Sequence, residues 1–432
     1  MRNNIVHPGA DELTYEIRGI VFDAQYLQSL GVPIVWENIG DPIAKGVTMP
    51  EWIKDIVKNV VSDDRSYGYS PTAGMVDARE KICEMRAAEG RTLDPANILF
   101  FNGLGDAISV VYSYLNENTK VIGPNPAYPS HSSAESAHSG SAHITYTLDP
   151  YNNWLPDIKE LQDKIKNNPA ISGILIINPD NPTGLVYPKA VLEEIVSLAR
   201  EYDLFIISDE IYANITYGEE KFVPLYNLIG DDVPALIMRG LSKEIPWPGS
   251  RCGWIEFHNR GIDPIFDRYV TSLFDAKMLQ VCSTTLPQQA LPLIFNDRRY
   301  SGHLQEKSLL YKKRADEAQQ AMGKVNGIIA PKPEGSFYFS VVFEDAILNN
   351  NQTLVLPNQD VETFIREKTL GMTPDKRFVY YLMAATGICV VPLSGFNSEL
   401  HGFRMTLLEP DDEKFTQLLH TVTTTINKYL GS

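Results

Sequence analysis

The residues of this chain best suited to chemistry gather around Lys243, in the stretch MRGLSKEIPWPGSRCGWIEF from Met238 to Phe257. Ser242 precedes the lysine, the turn-rich Pro246-Trp247-Pro248-Gly249 follows it, and Arg251 comes eight residues after it. An amine and a guanidinium in one loop suit a carbonyl compound that carries a phosphate. The amine can condense with the carbonyl once desolvation lowers its pKa. The guanidinium can pair bidentately with phosphate oxygens. A lone lysine in a turn is ordinarily a solvated surface group. Here it has company: Asp209-Glu210-Ile211-Tyr212, the Asn178–Gly184 segment NPDNPTG with Asn181 at its centre, and Arg404 within the apolar GFRMTL (402–407).

These groups need elements that bring them together, and the hydrophobic pattern supplies them. Apolar runs of strand length cover Asn97–Phe101, Lys120–Gly123, Gly173–Ile177, Leu204–Ser208, Ala235–Leu241 and Cys252–Phe257. Helical spacing marks Met49–Val61, a segment from about Met75, Ala107–Leu115 and Ala190–Tyr202. Strands alternating with helices predict a largely parallel α/β sheet, whose ligands gather at the carboxyl ends of the strands. The strands starting at Lys120, Gly173, Leu204 and Ala235 each end in a loop with polar or aromatic candidates, among them Tyr128 in PNPAYP (124–129). After Phe101 comes Asn102-Gly103-Leu104-Gly105-Asp106, a glycine turn into a helix, which forms an anion cradle from free N–H groups and the helix dipole.

Outside this core, the start contains a helix near Val21–Leu30 and a short strand, Ile34–Trp36, that runs into the turn Asn38-Ile39-Gly40-Asp41-Pro42. Gly40 lets backbone approach a ligand closely. Tyr69 stands in an aromatic loop. Past Phe274 the chain turns helical and charged: Leu304–Val325 reads as a long amphipathic helix joining two domains. A smaller α/β unit follows, with strands near Ser336–Phe343, Ile388–Val391 and Gly402–Leu407, a polar insertion at 345–359, and a last helix at Asp412–Leu430. The expected division is 1–48 as an N-terminal segment and part of the small domain, 49–305 as the large domain, and 306–432 as the rest of the small domain.

Composition narrows the function classes. The chain has 432 residues, 44% apolar and 21% charged, and is long enough for two domains. A net charge of −16 argues against a polyanionic partner. The four cysteines, Cys83, Cys252, Cys282 and Cys389, lack metal-ligand or disulfide spacing, so no metal is expected. The opening MRNNIVHPGADELTYE lacks the apolar core of a signal peptide. The uncharged stretch Phe378–Gly395 is broken by Gly387 and Pro392 and falls short of the roughly 20 apolar residues of a membrane span. A soluble, cytoplasmic protein is expected.

The ordered set NPDNPTG, DEIY, SKEIPWPGSRCGW and GFRMTLL resembles the class I/II aminotransferases, fold-type I enzymes of pyridoxal 5'-phosphate (PLP), over nearly the whole chain. The resemblance implies roles for the residues that match. Lys243 would link covalently to the cofactor and shuttle the α-proton. Asp209 would pair with the pyridine nitrogen, so that the ring acts as an electron sink. Tyr212 and Asn181 would hydrogen-bond its phenolic oxygen, and Tyr128 would stack on the ring. Arg251, Ser242 and the Leu104 and Gly105 amides would hold the phosphate, joined by Tyr69 and Ser283 across the interface of a homodimer. Arg404 would clamp the substrate carboxylate beside Gly40 and Asn181. Gly105 and Gly240 replace hydroxyl residues frequent in the family, and VVPLSGFNS departs from its usual late loop.

The segment TYEIRG (Thr14–Gly19) and the GLSK at the lysine look most like the alanine/tyrosine aminotransferase branch. There Tyr15 and Arg18 match residues at the substrate entrance, with Arg18 expected to bind the second carboxylate of glutamate or 2-oxoglutarate. Transfer of an amino group from an L-amino acid to a 2-oxo acid is the expected reaction. A PLP-dependent lyase would keep the same lysine, aspartate and arginine. A PLP-binding regulatory module of the kind fused to DNA-binding domains is not expected, because the sequence shows no basic helix-turn-helix extension and its net charge is wrong for DNA.

Overall fold

The computed structural model describes residues 5–7, 9–13 and 15–432. Residues 1–4, 8 and 14 lie outside the described residues, so parts of the polar opening and the first residue of the Thr14–Gly19 segment are not described.

Eight strands form the large sheet, in the spatial order Ile98–Phe101, Gly253–His258, Ala235–Gly240, Phe205–Asp209, Ile171–Ile177, Lys120–Asn125, Thr145–Asp149 and Leu155–Pro156. The central run from Ala235–Gly240 to Thr145–Asp149 is parallel, and antiparallel partners close both edges. The arrangement is α/β, with a mixed, mostly parallel sheet, as the fold-type I resemblance implies. Its central strands are apolar on both faces because both are covered. Ile174, Ile176, Ile206 and Ile237 pack with the helices Ile158–Asn167 and Lys189–Glu201. The alternate residues Leu175, Ile177, Ile207, Leu236 and Met238 pack with Leu104–Ser113 and Pro264–Leu279.

The second core lies around a four-stranded antiparallel sheet, ordered Ile328–Ile329, Tyr338–Phe343, Gly402–Thr406, Val391–Pro392. The helix Asp412–Leu430 covers it with Phe415, Leu419, Val422 and Ile426, and starts where Asp411 caps the Lys414 amide. Near the chain's start, Val35–Trp36 pairs in parallel with Ile388–Cys389, which ties the segment leading to Gly40 to this unit. The single run read at Ile388–Val391 is divided: Ile388–Cys389 serves one sheet and Val391–Pro392 another. The connecting helix is Tyr300–Met322 and crosses the 305/306 boundary expected from sequence. Its far half enters the second core through Tyr311, Ala315, Ala318 and Met322. The two sheets meet where Ser336 and Ser340 donate to the carbonyls of Asp180 and Pro182 at 3.0 and 2.8 Å. All four cysteines are free. Among the described residues no helix is long and apolar enough to cross a membrane.

Candidate active site

At the carboxyl ends of the central strands a cavity of about 520 Å³ opens between the two sheets. Lys243 stands in it, three residues past the strand Ala235–Gly240, and its Nζ donates to the Gly40 carbonyl at 2.8 Å. Burial pushes this amine down to about 8; the positive charges of Arg404 and Arg251 work in the same direction, while Asp41 and Asp209 oppose it. Asp209 ends the neighbouring strand. Its Oδ1 accepts the Ile211 amide at 3.1 Å, and its Oδ2 lies 3.1 Å from His131 Nε2.

Opposite the lysine is Arg404, almost fully buried in the second sheet. Its guanidinium carbon lies 4.3 Å from the centre of the Tyr338 ring and 5.0 Å from that of Phe396, so the planar cation is held between aromatic faces. Nη1 donates to Asn181 Oδ1 at 3.2 Å and Nη2 to the Asn38 carbonyl, while Nε is buried with no hydrogen-bond partner among the described residues. The backbone from Asn38 to Gly40 therefore runs between the two cations, one carbonyl facing each. Glycine is required at its end: a Cβ on Gly40 would come 1.9 Å from the Tyr338 hydroxyl.

The anion cradle sits on the other side of the cavity. Its helix begins at Leu104 rather than Ala107, so Leu104 and Gly105 are its first turn and line the cavity, with amides lacking an intrahelical partner. Gly103 caps it at φ 82°, and a Cβ there would lie 2.4 Å from Arg251 Nη2. Arg251 is held beside the cradle by the carbonyls of Pro248 and Asn102 at 3.0 and 3.3 Å. Ser242 also lines the wall.

Tyr212 and Tyr128 complete the enclosure. Tyr212 donates its hydroxyl to that of Tyr338 at 3.1 Å, and Tyr128 pairs with the Tyr15 hydroxyl at 3.2 Å. Burial pushes both the Tyr212 and Tyr128 phenols well above their ordinary value. Tyr15 and Arg18, both exposed, stand at the rim.

Lys243, Asp209, Tyr212, Tyr128, Asn181, Ser242, Arg251, Leu104, Gly105, Arg404, Gly40, Tyr15 and Arg18 thus share one cavity. Tyr69 is not in it: the ring is 86% exposed on a loop pinned to the 281–285 segment. Ser283 is buried and donates to the Phe100 carbonyl at 2.7 Å, so its hydroxyl faces inward rather than out toward a second chain.

Comparison with known proteins bears on this arrangement. A family model described as "Aminotransferase class I and II" matches residues 38–422. The chain belongs to that family. It is 52% identical over 431 residues to an uncharacterized aminotransferase of Methanocaldococcus jannaschii, covering 100% of both chains. It is 31% identical over 333 residues to a glutamate-pyruvate aminotransferase of Escherichia coli, covering 76% of this chain and 80% of that one. The solved alanine aminotransferase from Pyrococcus furiosus superposes with a TM-score of 0.82 at 26% identity, over 98% of each chain. The enzyme is a transaminase, and amino-group transfer is its reaction.

Two residues of the aminotransferase site were missed in the sequence. His131, buried and bonded to Asp209, lies one helical turn past Tyr128, and only its place in the first turn after the PNPAYP loop could have marked it. Tyr338, which touches Tyr212 and Arg404, reads in sequence as one more aromatic residue of a buried strand.

Proposed function

We propose that this transaminase binds PLP in the cavity and moves the amino group of L-alanine or L-glutamate to a 2-oxo acid in two half-reactions. The observation that carries the reading is a lysine with a lowered pKa facing a buried arginine across one backbone segment, with an anion cradle alongside. The donor set fits the cofactor. Leu104 and Gly105 amides, Ser242 and Arg251 offer a phosphate site, Asp209 a carboxylate for a ring N–H, and Lys243 an amine for the aldehyde. When bound, the cofactor supplies that aldehyde carbon and a ring that delocalises the electron pair left by a departing α-proton.

The chain's residues do the rest. Arg404 binds the substrate α-carboxylate, using Nε and the nitrogen released from the Asn38 carbonyl. The fixed carboxylate directs the α-carbon toward Lys243, whose neutral Nζ accepts the α-proton and returns it. His131 holds the Asp209 carboxylate in orientation, and Tyr212 and Asn181 offer donors to the ring's phenolic oxygen. Arg18 at the rim reads a second carboxylate, which favours glutamate and 2-oxoglutarate as one substrate pair.

The homodimer belongs to the same reading. Tyr67, Tyr69, Met278, Leu279 and Val281 are each at least half exposed. With the 68–72 loop hydrogen-bonded to the 281–285 segment, they form an apolar face suited to a second copy, to whose phosphate site Tyr69 would reach. Residues 49–305 form the cofactor domain, 306–432 with part of 1–48 the small domain, and the enzyme works in the cytoplasm. The test is a visible spectrum of the PLP-loaded enzyme titrated with single L-amino acids and no oxo acid. Loss of the lysine-bound band with one equivalent of oxo acid is expected for alanine or glutamate. Continuing release of oxo acid and ammonia would make the enzyme a lyase, and no lysine-bound band at all would remove Lys243 from its role.

A further inference from the structure

Directly after the lysine stands a carboxylate that does not reach the cavity. Glu244 is 8% exposed, and both of its oxygens are engaged. Oε2 accepts Asn214 Nδ2 at 2.5 Å and Oε1 accepts the Tyr300 hydroxyl at 3.0 Å. The Glu244 carbonyl faces His303 Nε2 at 2.9 Å. Asn214 lies two residues past Tyr212, in the turn that leaves the Asp209 strand. Tyr300 and His303 form the first turn of the helix Tyr300–Met322. A narrow cleft runs along this contact, lined by Lys243, Glu244 and Asn214 on one side and by Leu304 and Tyr311 of the helix on the other.

We propose that Glu244 is a positioning residue that fixes the Lys243 amine to the turn after Asp209 and to the helix linking the two domains. Three of its groups are held by two separate elements, so the backbone at residue 244 cannot shift without breaking bonds to one of them. Burial makes each bond matter, because a carboxylate withdrawn from water depends on its partners. The helix held at Tyr300 is the one whose far half lies in the core beneath the Arg404 sheet. The groups that receive the substrate carboxylate and its α-proton are thereby referred to a common rigid element. A displacement of about 1 Å at a reacting group costs on the order of a hundredfold in rate, which is the scale such a clamp protects. The inference rests on Lys243 being the working amine, as proposed above.

The experiment compares Glu244→Ala, Glu244→Gln and Tyr300→Phe with the parent enzyme. Two quantities are read: kcat and KM of the PLP-loaded enzyme, and the pH profile of Lys243 acylation in cofactor-free protein, followed by peptide mass spectrometry. E244A is expected to lower kcat about 10- to 100-fold with KM within about threefold. It should also move the Lys243 profile upward by about one pH unit as water reaches the loosened amine. Removing a nearby negative charge alone would move that profile downward, so the direction separates positioning from charge. E244Q, whose amide can still accept from Asn214 and donate to the Tyr300 oxygen, should recover most of both quantities, and Y300F should fall between. An unchanged or downward-shifted profile in E244A overturns the proposal, as does an E244Q no better than E244A. Should E244A fail to fold, the acylation profile of Y300F decides by the same criterion. K243A separates the two readings: if K243A stays active the role of Lys243 fails, whereas an inactive K243A beside a fully active E244A removes only the clamp.

Discussion

The lowered pKa of Lys243 makes a prediction that needs neither cofactor nor substrate. With an ordinary value of 10.5, about one lysine amine in 3,000 is neutral at pH 7; at about 8, about one in ten is. The pocket therefore raises the nucleophilic fraction by about 300-fold. The assay is acylation of the cofactor-free enzyme with limiting reagent between pH 6 and 10.5, with each lysine quantified by peptide mass spectrometry. Lys58 is the internal reference, since its partner Asp55 raises it above the ordinary lysine value. The Lys243 yield should climb to a plateau with a midpoint near 8, while Lys58 still rises at pH 10. Parallel curves for the two lysines would refute the argument from burial.

The same displacement has a stability counterpart with a fixed sign. Below about pH 8 the amine is charged in both folded and unfolded chains, and the folded state bears the whole desolvation cost. Between about 8 and 10.5 the unfolded chain holds the proton and the folded one has released it, so stability rises with pH through that window. The displacement amounts to about 3 kcal/mol, an upper bound because water enters the pocket. Lys243→Met in the cofactor-free protein should therefore stabilise the fold at pH 7 by up to that amount, with the advantage vanishing by pH 10.5. Unfolding by urea at both pH values reads it, and a Met variant no more stable than the parent at pH 7 counts against it.

Four further outcomes follow from the geometry. Arg404→Gln removes the proposed bidentate partner for the α-carboxylate and should cost about 3 kcal/mol or more in kcat/KM for every amino donor, and steady-state kinetics that stay within threefold of the parent would be inconsistent with that role. Gly103→Ala forces a side chain into a left-handed conformation and against the Arg251 guanidinium; the Kd for PLP, measured by equilibrium dialysis, should rise at least about tenfold with the fold retained. Arg18→Ala should raise KM for glutamate while leaving that for alanine alone, and an unchanged glutamate KM removes Arg18 from the substrate site. Arg86→Met leaves Glu256, which Arg86 holds in a bidentate pair at 2.8 Å, buried without its countercharge; about 3–5 kcal/mol of stability should be lost in urea unfolding at pH 7.

How much of this was legible in the chain depended on distance. The strands around the lysine are local facts: unbroken apolar runs such as ILFF or GILII belong to a sheet covered on both faces, and the Asp209, Lys243 and Asn181 loops follow at their ends. The final helix, too, runs from Asp412 to Leu430 as its pattern indicates. Boundaries set by a single dihedral were not legible. The cradle helix starts at Leu104 because Gly103 takes a positive φ, and a Gly-x-Gly turn gives no sign of which residue opens the helix. Nor does TGICVVP reveal that Cys389 and Val391 serve different sheets, since one depends on Val35–Trp36, more than 350 residues away. His131 and Tyr338 escaped notice for the same reason: each works through a side chain from a distant element, and neither residue type is unusual where it stands.

Charge gives the site a final constraint. The chain carries −16 overall, yet the 2-oxo acids proposed as its substrates are anions and so is the phosphate end of the proposed cofactor. The long-range field opposes their approach, but at physiological ionic strength it decays over about 8 Å. Inside the cavity the balance reverses, with Arg18, Lys243, Arg251 and Arg404 set against Asp41 and Asp209. Three of the four cations are held by backbone carbonyls, those of Gly40, Pro248, Asn102 and Asn38. A carbonyl orients a cation without neutralising it, so the positive charge remains available to an arriving carboxylate or phosphate. Had carboxylates held these side chains, each ion pair would have to be broken in a partly desolvated pocket before a ligand could bind. Orientation by dipoles rather than by counterions thus lets a strongly acidic protein keep a cationic site.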